Sequence, residues 1–367
     1  MHIQISREEL LKPLGHVVAV IERRQALPIL ANVAMRVNDG AIQLTGTDLE
    51  IELVATTSAT SAVNDGAMTV PGRKLYDICR ALPAEATVEI KQEGDKAHIK
   101  SGKSRFVLAT LPAADFPSVE GGTWQIELSI PQGDLKQVID RTHFCMAHQD
   151  VRYYLNGLLL ELSGKRLRAV ATDGHRMGLS EVELPEPIVA ERQVIIPRKG
   201  VVEIGRFLAA SEEPATLSLS SNHIRIGAQD LTLTSKLIDG RFPDYQQVLP
   251  VNYKRVVRAQ RMALREALMR TAILANEKYR GVRLTVRPGM LVITAHNPEQ
   301  EEAQEELAIG YDGEEVEVGF NVNYVIEALG GLDSEEVELH INDAHSSCAM
   351  LAPGRTDTRY VVMPMRL

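Results

Sequence analysis

The chain has 367 residues, with 40 Lys and Arg against 49 Asp and Glu, giving a formal net charge of -9; 44% of residues are hydrophobic and 4% aromatic. At roughly 100–200 residues per domain this length predicts two or three domains, each with its own core, and the composition excludes collagen-like, disordered and membrane-spanning classes. The acidic balance also opposes a protein that simply coats DNA or anionic lipid, because like charges repel. Cys79, Cys145 and Cys348 are far apart and include no CxxC pair. That excludes a disulfide framework and a zinc site of the usual spacing, and it fits a reducing cytoplasm. Arg7, Glu8 and Glu9 stand where a signal peptide would need an apolar run, and no stretch reaches the ~18 apolar residues of a membrane span. A cytoplasmic protein with no membrane partner is therefore expected.

In chain order, the first helix is expected over 7–22, with Ser6 as N-cap and Glu9 completing a capping box. Further helices are expected over 73–81, 133–147, 199–209, 263–275 and 322–330. Between them run short strands that alternate apolar and polar residues, as a sheet with one buried face should. They include Ile42–Thr45, Ala67–Val70, Thr87–Lys91, Leu158–Leu162, Thr216–Ser220 and Val337–Ile341.

The elements repeat. Leu11-Lys12, Leu135-Lys136 and Leu264-Arg265 each open an amphipathic helix that leads into strands. Thr47-Asp48 recurs as Thr172-Asp173, 125 residues on, and Phe116-Pro117 as Phe242-Pro243, 126 residues on. Val70-Pro71-Gly72-Arg73-Lys74 is matched by Ile196-Pro197-Arg198-Lys199-Gly200, and Phe320-Asn321-Val322-Asn323 stands in that place in a more diverged third copy. The period is too long for a solenoid unit of about 20–50 residues. It predicts an α+β chain of three helix–strands–helix–strands domains, 1–125, 126–251 and 252–367. Linkers are expected near Gly121–Thr123 and Pro250–Asn252.

Basic residues gather on or beside the expected helices: Lys12, Arg23, Arg24, Arg73, Lys74, Arg80, Lys136, Arg141, Arg198, Lys199, Arg206, Arg265 and Arg270. A solvated helix face explains any one of them. The bias across five of six equivalent helices suits a set of helices turned toward a common anionic object. Excess acid is concentrated in the third repeat, with 18 acidic against 13 basic residues, partly in the run Glu299–Glu306.

Two catalytic readings find little support. Ser101-Gly102-Lys103-Ser104 resembles the end of a phosphate-binding loop, but Ala97 occupies the position of the first glycine and no helix follows. Asp173 and His175 could serve a hydrolase or nuclease, but no further His, Asp or Glu converges on them in the sequence, and Asp-Gly usually marks a turn. Two alternatives stand beside the reading that follows: a hydrolase or nuclease using Asp173 and His175, and, behind it, a sequence-specific DNA-binding regulator built on the basic helices.

The chain resembles the bacterial sliding clamp family, the beta subunits of DNA polymerase III, of proteobacterial type. The segments that carry the resemblance are Leu44–Glu50, Leu111–Pro117, Met146–Gly157, Ala171–Arg176, Asp239–Tyr245, Asn297–Glu302 and Tyr360–Leu367. The resemblance implies the DNA clamp fold and a head-to-tail homodimeric ring, helices inside and sheets outside. It implies a non-enzymatic processivity factor, without metal or cofactor, that encircles double-stranded DNA and tethers the polymerase III catalytic subunit. A clamp loader complex would load it, and repair and translesion polymerases, mismatch repair proteins and ligase would share it.

The resemblance also implies three surfaces. Arg24, Arg73, Gln149, Tyr153, Tyr154, Arg198 and Lys199 match positions that touch DNA, where Arg and Lys neutralise phosphates without reading bases. Lys74, Lys103, Arg105, Phe106 and Leu108 match a subunit seam that meets Ile273, Leu274, Glu299, Glu301, Glu302 and Glu305 of the partner. A pocket for short partner motifs maps to Leu155, Thr172, Gly174, His175, Arg176, Met177, Pro243, Val248, Asn321, Tyr324 and Ser347. It continues through the terminal run Val361, Val362, Met363, Pro364, Met365, Arg366 and Leu367. The chain departs from the family pattern at Gln247, where arginine is common, and at His345, where an apolar residue is common.

Overall fold

The computed structural model describes residues 1–22, 27–119, 121–189, 191–249 and 253–366. The expected linker at 250–252 lies outside them. The chain sorts into two compact units, Met1–Leu135 with Lys199–Leu237, and Lys136–Arg198 with Ile238–Leu367. The middle repeat thus contributes to both.

The helices are α1 (Arg7–Val20), α2 (Gly72–Ala81), α3 (Gln132–Asp140), α4 (Arg198–Phe207), α5 (Arg261–Thr271) and α6 (Val322–Gly330). Ser6 caps α1 by accepting from the Glu9 amide at 3.2 Å, but only half of the capping box forms. The Glu9 carboxylate takes the Ser6 hydroxyl at 2.9 Å, not the Ser6 backbone amide. Leu10, Leu14, Val17 and Val18 of α1 are buried at helical spacing. The helix lies close against the neighbouring sheet at Gly46, where a Cβ would stand 2.7 Å from the Val17 carbonyl oxygen. Pro13 interrupts α1 and supplies no amide to the Glu9 carbonyl. The Thr57 hydroxyl donates to that carbonyl at 3.3 Å instead.

The third and fifth helices stop earlier than their periodicity suggests. In α3 the hydroxyl of Thr142 donates back to the Val138 carbonyl at 2.5 Å, and in α5 that of Thr271 donates to the Ala267 carbonyl at 2.8 Å. Each helix then tightens into a 3-10 turn, His143–Cys145 and Ala272–Leu274, before the chain turns extended. Apolar spacing continues through a 3-10 turn, so the pattern cannot mark where the α-helix ends.

Each unit is built on an eight-stranded antiparallel sheet. In the first unit, Ile51–Ser58 pairs with Leu231–Lys236, which joins four strands of the first repeat to four of the second. In the second unit, Arg176–Glu183 pairs with Thr358–Val362 and joins the second repeat to the third in the same way. A five-stranded sheet in the first unit ends at Ser104–Ala109, and a four-stranded sheet in the second ends at Glu302–Ala308.

The strand Gly157–Ser163 departs from one-faced burial: Leu158, Leu159 and Leu160 are all buried. The face bearing Leu159, Val170, Leu179 and Ile195 is covered by Phe242 and Tyr245, with Val248 and Leu249 packed at its edge. A sheet covered on both faces has no polar side to alternate with. All three cysteines are buried free thiols, and burial pushes Cys79 and Cys348 up to about 12.

Candidate functional site

The most strongly built feature of the second unit is the corner Thr172–Arg176. The Thr172 hydroxyl donates to the Arg176 carbonyl at 2.6 Å and accepts from the Gly174 amide at 3.1 Å. Asp173 Oδ1 accepts from the amides of His175 and Arg176 at 2.9 and 3.0 Å, while Oδ2 accepts from Arg176 Nε at 3.2 Å. Both carboxylate oxygens therefore help to hold the turn.

Gly174 sits at φ +89°, and a Cβ there would meet a guanidinium nitrogen of Arg152 at 3.0 Å. Arg152 is itself fixed by Asp150, at 3.0 and 2.9 Å from Nε and Nη2. Those side-chain hydrogen bonds, with the one from the Arg152 amide, hold the Asp150 carboxyl down at about 2. Arg176 continues the corner in the other direction. It donates to the Phe144 carbonyl at 2.7 Å, pairs with Glu327, and lies 4.5 Å from the ring centroid of Tyr324.

Two clefts open on either side of Arg176. The first is apolar, about 170 Å3, and lined by Tyr154, Leu155, Thr172, Gly174, Met177, Pro243, Tyr245, Val248, Val361 and Met363, with Arg152 and Arg176. Met363 is anchored by its amide, which donates to the His175 carbonyl at 2.9 Å. The second is polar, about 610 Å3, and its lining includes His148, Gln149, Asp150, His175, Arg198, Tyr324 and Glu327.

Of the expected pocket residues, Leu155, Thr172, Gly174, Arg176, Met177, Pro243, Val248, Val361 and Met363 line the apolar cleft, and His175 and Tyr324 the polar one. Val362 is buried and lines neither. Asn321 caps α6, its side chain accepting from the Asn323 amide at 3.0 Å. Ser347, Pro364 and Arg366 also lie off both linings, as does Met365, whose amide donates to the Gly319 carbonyl at 2.9 Å. Leu367 lies outside the described residues. Gln247 is exposed and bonded to Asp244 at 2.9 Å, and His345 is exposed, its amide donating to Asp343. Sequence reasoning missed Arg152 and Tyr245 as walls. The Asp-x-Arg spacing at 150–152 is the only local signal for the first, and Tyr245 becomes a wall only because its segment crosses the sheet.

Among the expected DNA contacts, Gln149, at φ +56°, and Arg198 line the polar cleft. Tyr153 is 56% exposed and meets Tyr154 edge to face at 5.8 Å, whereas Tyr154 faces the apolar cleft. Arg73 and Lys199 belong to the first unit. Arg73 donates to the Ile21 carbonyl at 2.7 Å, and Lys199 pairs with Asp48 and, at 3.2 Å, with Glu22. Arg23 and Arg24 lie outside the described residues. Arg141, grouped by sequence with the basic helix residues, instead joins Asp333 at 2.6 Å and Asp357 at 3.2 Å, together with the Thr358 hydroxyl. Carboxylates 192 and 216 positions away leave no trace in the local pattern.

The expected seam residues lie on or beside the two outer strands. Lys103 and Arg105 are exposed, Phe106 is half-buried, and Leu108 is buried within its own unit. Lys74 is exposed on α2. In the second unit Ile273 is 77% exposed, Leu274 is half-buried, and Glu299, Glu301 and Glu302 are exposed. Glu305 already receives Arg270 at 2.7 and 3.0 Å.

Sequence models of the DNA polymerase III beta subunit match the chain in three parts: the N-terminal domain at 1–120, the central domain at 129–244 and the C-terminal domain at 246–366. The chain belongs to the bacterial sliding clamp family. The Pseudomonas putida beta sliding clamp is 50% identical over 367 residues, and that of Escherichia coli K12 is 47% identical, each over the whole of both chains. A Pseudomonas aeruginosa sliding clamp solved with a ligand superposes at TM-score 0.96 with 49% identity, and one bound to griselimycin at 0.97 with 50%, both over the full length of each chain. The three-domain clamp fold, the assignment as a DNA sliding clamp and the non-catalytic role as a processivity factor of DNA polymerase III follow from that membership. No helix among the described residues is long and apolar enough to cross a membrane.

Proposed function

We propose that two copies of this clamp close head to tail into a six-domain ring around duplex DNA in the cytoplasm, helices inward and sheets outward. Domain boundaries at 1–125, 126–251 and 252–367 would give each ring six equivalent positions. The observation that carries the reading is the use of the strands. At both junctions within the chain, a strand following the Thr-Asp corner, Ile51–Ser58 or Arg176–Glu183, pairs with the last strand of the next repeat's sheet. The strands left in those two roles are Glu302–Ala308 and Ser104–Ala109, both at open sheet edges. One edge bears Glu302, Glu305 and Glu306, the other Arg105 beside Lys103. An open edge is an association hazard unless it is paired or covered. A heterologous contact between these two edges closes after two chains in the proposed ring, where a non-closing rotation would give a filament.

Within the ring, Arg73, Arg198, Lys199, Gln149 and Tyr153 would centre the duplex by phosphate and sugar contact. The apolar cleft would receive short motifs from the polymerase III catalytic subunit, the clamp loader and repair proteins. Two or three buried apolar anchors at about 1.5–3 kcal/mol each give roughly micromolar binding after ordering costs, which suits a shared platform.

The test loads the clamp onto nicked circular DNA with a clamp loader, raises the salt and then linearises the circle. A ring stays on the circle in salt and leaves when the DNA acquires an end. A conventional binder loses affinity with a log–log slope near -0.9 per phosphate contact, so loss from the intact circle refutes encirclement. For the cleft, Met363→Glu is expected to abolish binding of a fluorescein-labelled peptide carrying the catalytic subunit's clamp-binding motif. Unchanged binding would refute that assignment.

A further inference from the structure

The wall of the apolar cleft formed by Pro243, Tyr245 and Val248 is not part of the sheet; it is a strap laid across it. What holds the strap is a row of polar side chains on the covered face. Gln193, Glu161, Arg168 and Glu181 occupy directly opposed positions on four adjacent strands. Each lies two residues from Ile195, Leu159, Val170 and Leu179, so the polar row runs beside the apolar row on the same face.

The row is fully joined. Arg168 donates to Glu181 at 2.8 and 2.6 Å and to Glu161 at 3.1 Å, and Gln193 donates to Glu161 at 2.6 Å. Arg168 is 9% exposed and Tyr245 5%. The Tyr245 hydroxyl enters this row, accepting from Arg168 at 2.6 Å and donating to Glu161 at 3.2 Å. Its ring, meanwhile, packs on the apolar row and faces the cleft. A buried charge row with no tyrosine could satisfy itself with water at the sheet's edge. With Tyr245 in place, the strap has one register in which its hydroxyl is satisfied and its ring is buried.

We propose that Arg168 and Glu161 are positioning residues for peptide binding: by holding the Tyr245 hydroxyl they keep the strap 242–248 formed as a cleft wall in the free clamp. This rests on the reading of the cleft as the peptide site. The strap is ready before a ligand arrives, so binding does not first have to populate a competent wall. Apparent affinity scales with the fraction of protein already competent, and that fraction is what the polar row sets.

The experiment uses the full chain and the labelled catalytic-subunit peptide in stopped-flow, with hydrogen exchange of the free protein. Tyr245→Phe keeps the ring and removes only the hydroxyl. It is expected to speed exchange of the 242–248 amides and slow association roughly tenfold to hundredfold, as loss of a hydrogen bond to a charged group implies. Dissociation should stay near wild type, because the ring contact with bound peptide is unchanged. Glu161→Gln, which keeps an acceptor for Tyr245, should fall between the two. Unchanged exchange, or faster exchange with unchanged association, overturns the proposal, as does slower association without looser strap amides. If Met363→Glu leaves peptide binding intact, the cleft reading has failed; if it abolishes binding while Tyr245→Phe behaves as wild type, only the positioning role has failed.

Discussion

The corners Thr47–Ile51 and Thr172–Arg176 are built the same way and do different things. In both, the threonine hydroxyl donates to the carbonyl four residues on, at 2.7 and 2.6 Å, and accepts from the amide two residues on, at 3.0 and 3.1 Å. In both, the aspartate accepts from the next two amides, at 2.9 and 2.8 Å in one and 2.9 and 3.0 Å in the other. The third repeat keeps a version of the turn, with Asn297 accepting from the Glu301 amide at 2.9 Å. The residue at positive φ differs: Leu49 at +78° in the first corner, Gly174 at +89° in the second. Leu49 is 37% exposed, while Gly174 lies under Arg152 at the mouth of a cleft. One turn chemistry sets the chain's direction in the first two repeats. The side chain at its third position decides whether a guanidinium can approach.

The comparison breaks hardest if the corners are made alike. Gly174→Leu places the first corner's residue in the second. Its Cβ displaces Arg152 and its backbone is strained, so peptide affinity should fall more than tenfold by fluorescence polarisation. Circular dichroism would confirm that the fold is retained, and near-wild-type affinity would show that the glycine has no role in the cleft.

A smaller effect follows from removing the shared clasp. Asp48→Ala and Asp173→Ala should each lower stability by about 1–3 kcal/mol in urea unfolding, since each strands two amides and removes one of the partners of a basic side chain. Only Asp173→Ala should also weaken peptide binding, through Arg176. Equal effects on binding would erase the functional distinction between the corners. The smallest change is Leu49→Gly, which relieves the positive-φ cost at an exposed position and should be neutral to stabilising by about 1 kcal/mol. A clear loss of stability would mean that the Leu49 side chain has a packing role of its own.

Much of the molecule was legible because its signals are local. The Thr-Asp corners, the Ser6 cap and the apolar spacing of α1 each concern groups within four or five residues, and a short window contains them. The helix ends at Thr142 and Thr271 were misread because a 3-10 turn preserves the same apolar spacing. Most residues that line the apolar cleft are ones the resemblance groups together, but not Tyr245, whose place depends on a polar row spread over four strands. The carboxylate partners of Arg141 lie as far off in the chain and were equally illegible.

The sequence by itself determined that the fold is repeated, that two of the repeats share the Thr-Asp corner, and that basic residues gather on the helices. The tertiary structure decided which strands of neighbouring repeats join and which edges stay open. It also decided which basic side chains are held by carboxylates and where the strap crosses the sheet. The division is physical. Backbone hydrogen bonds within a turn or helix link residues a few positions apart, whereas the strand pairings that join neighbouring repeats link residues more than a hundred positions apart, such as Arg176 and Val362.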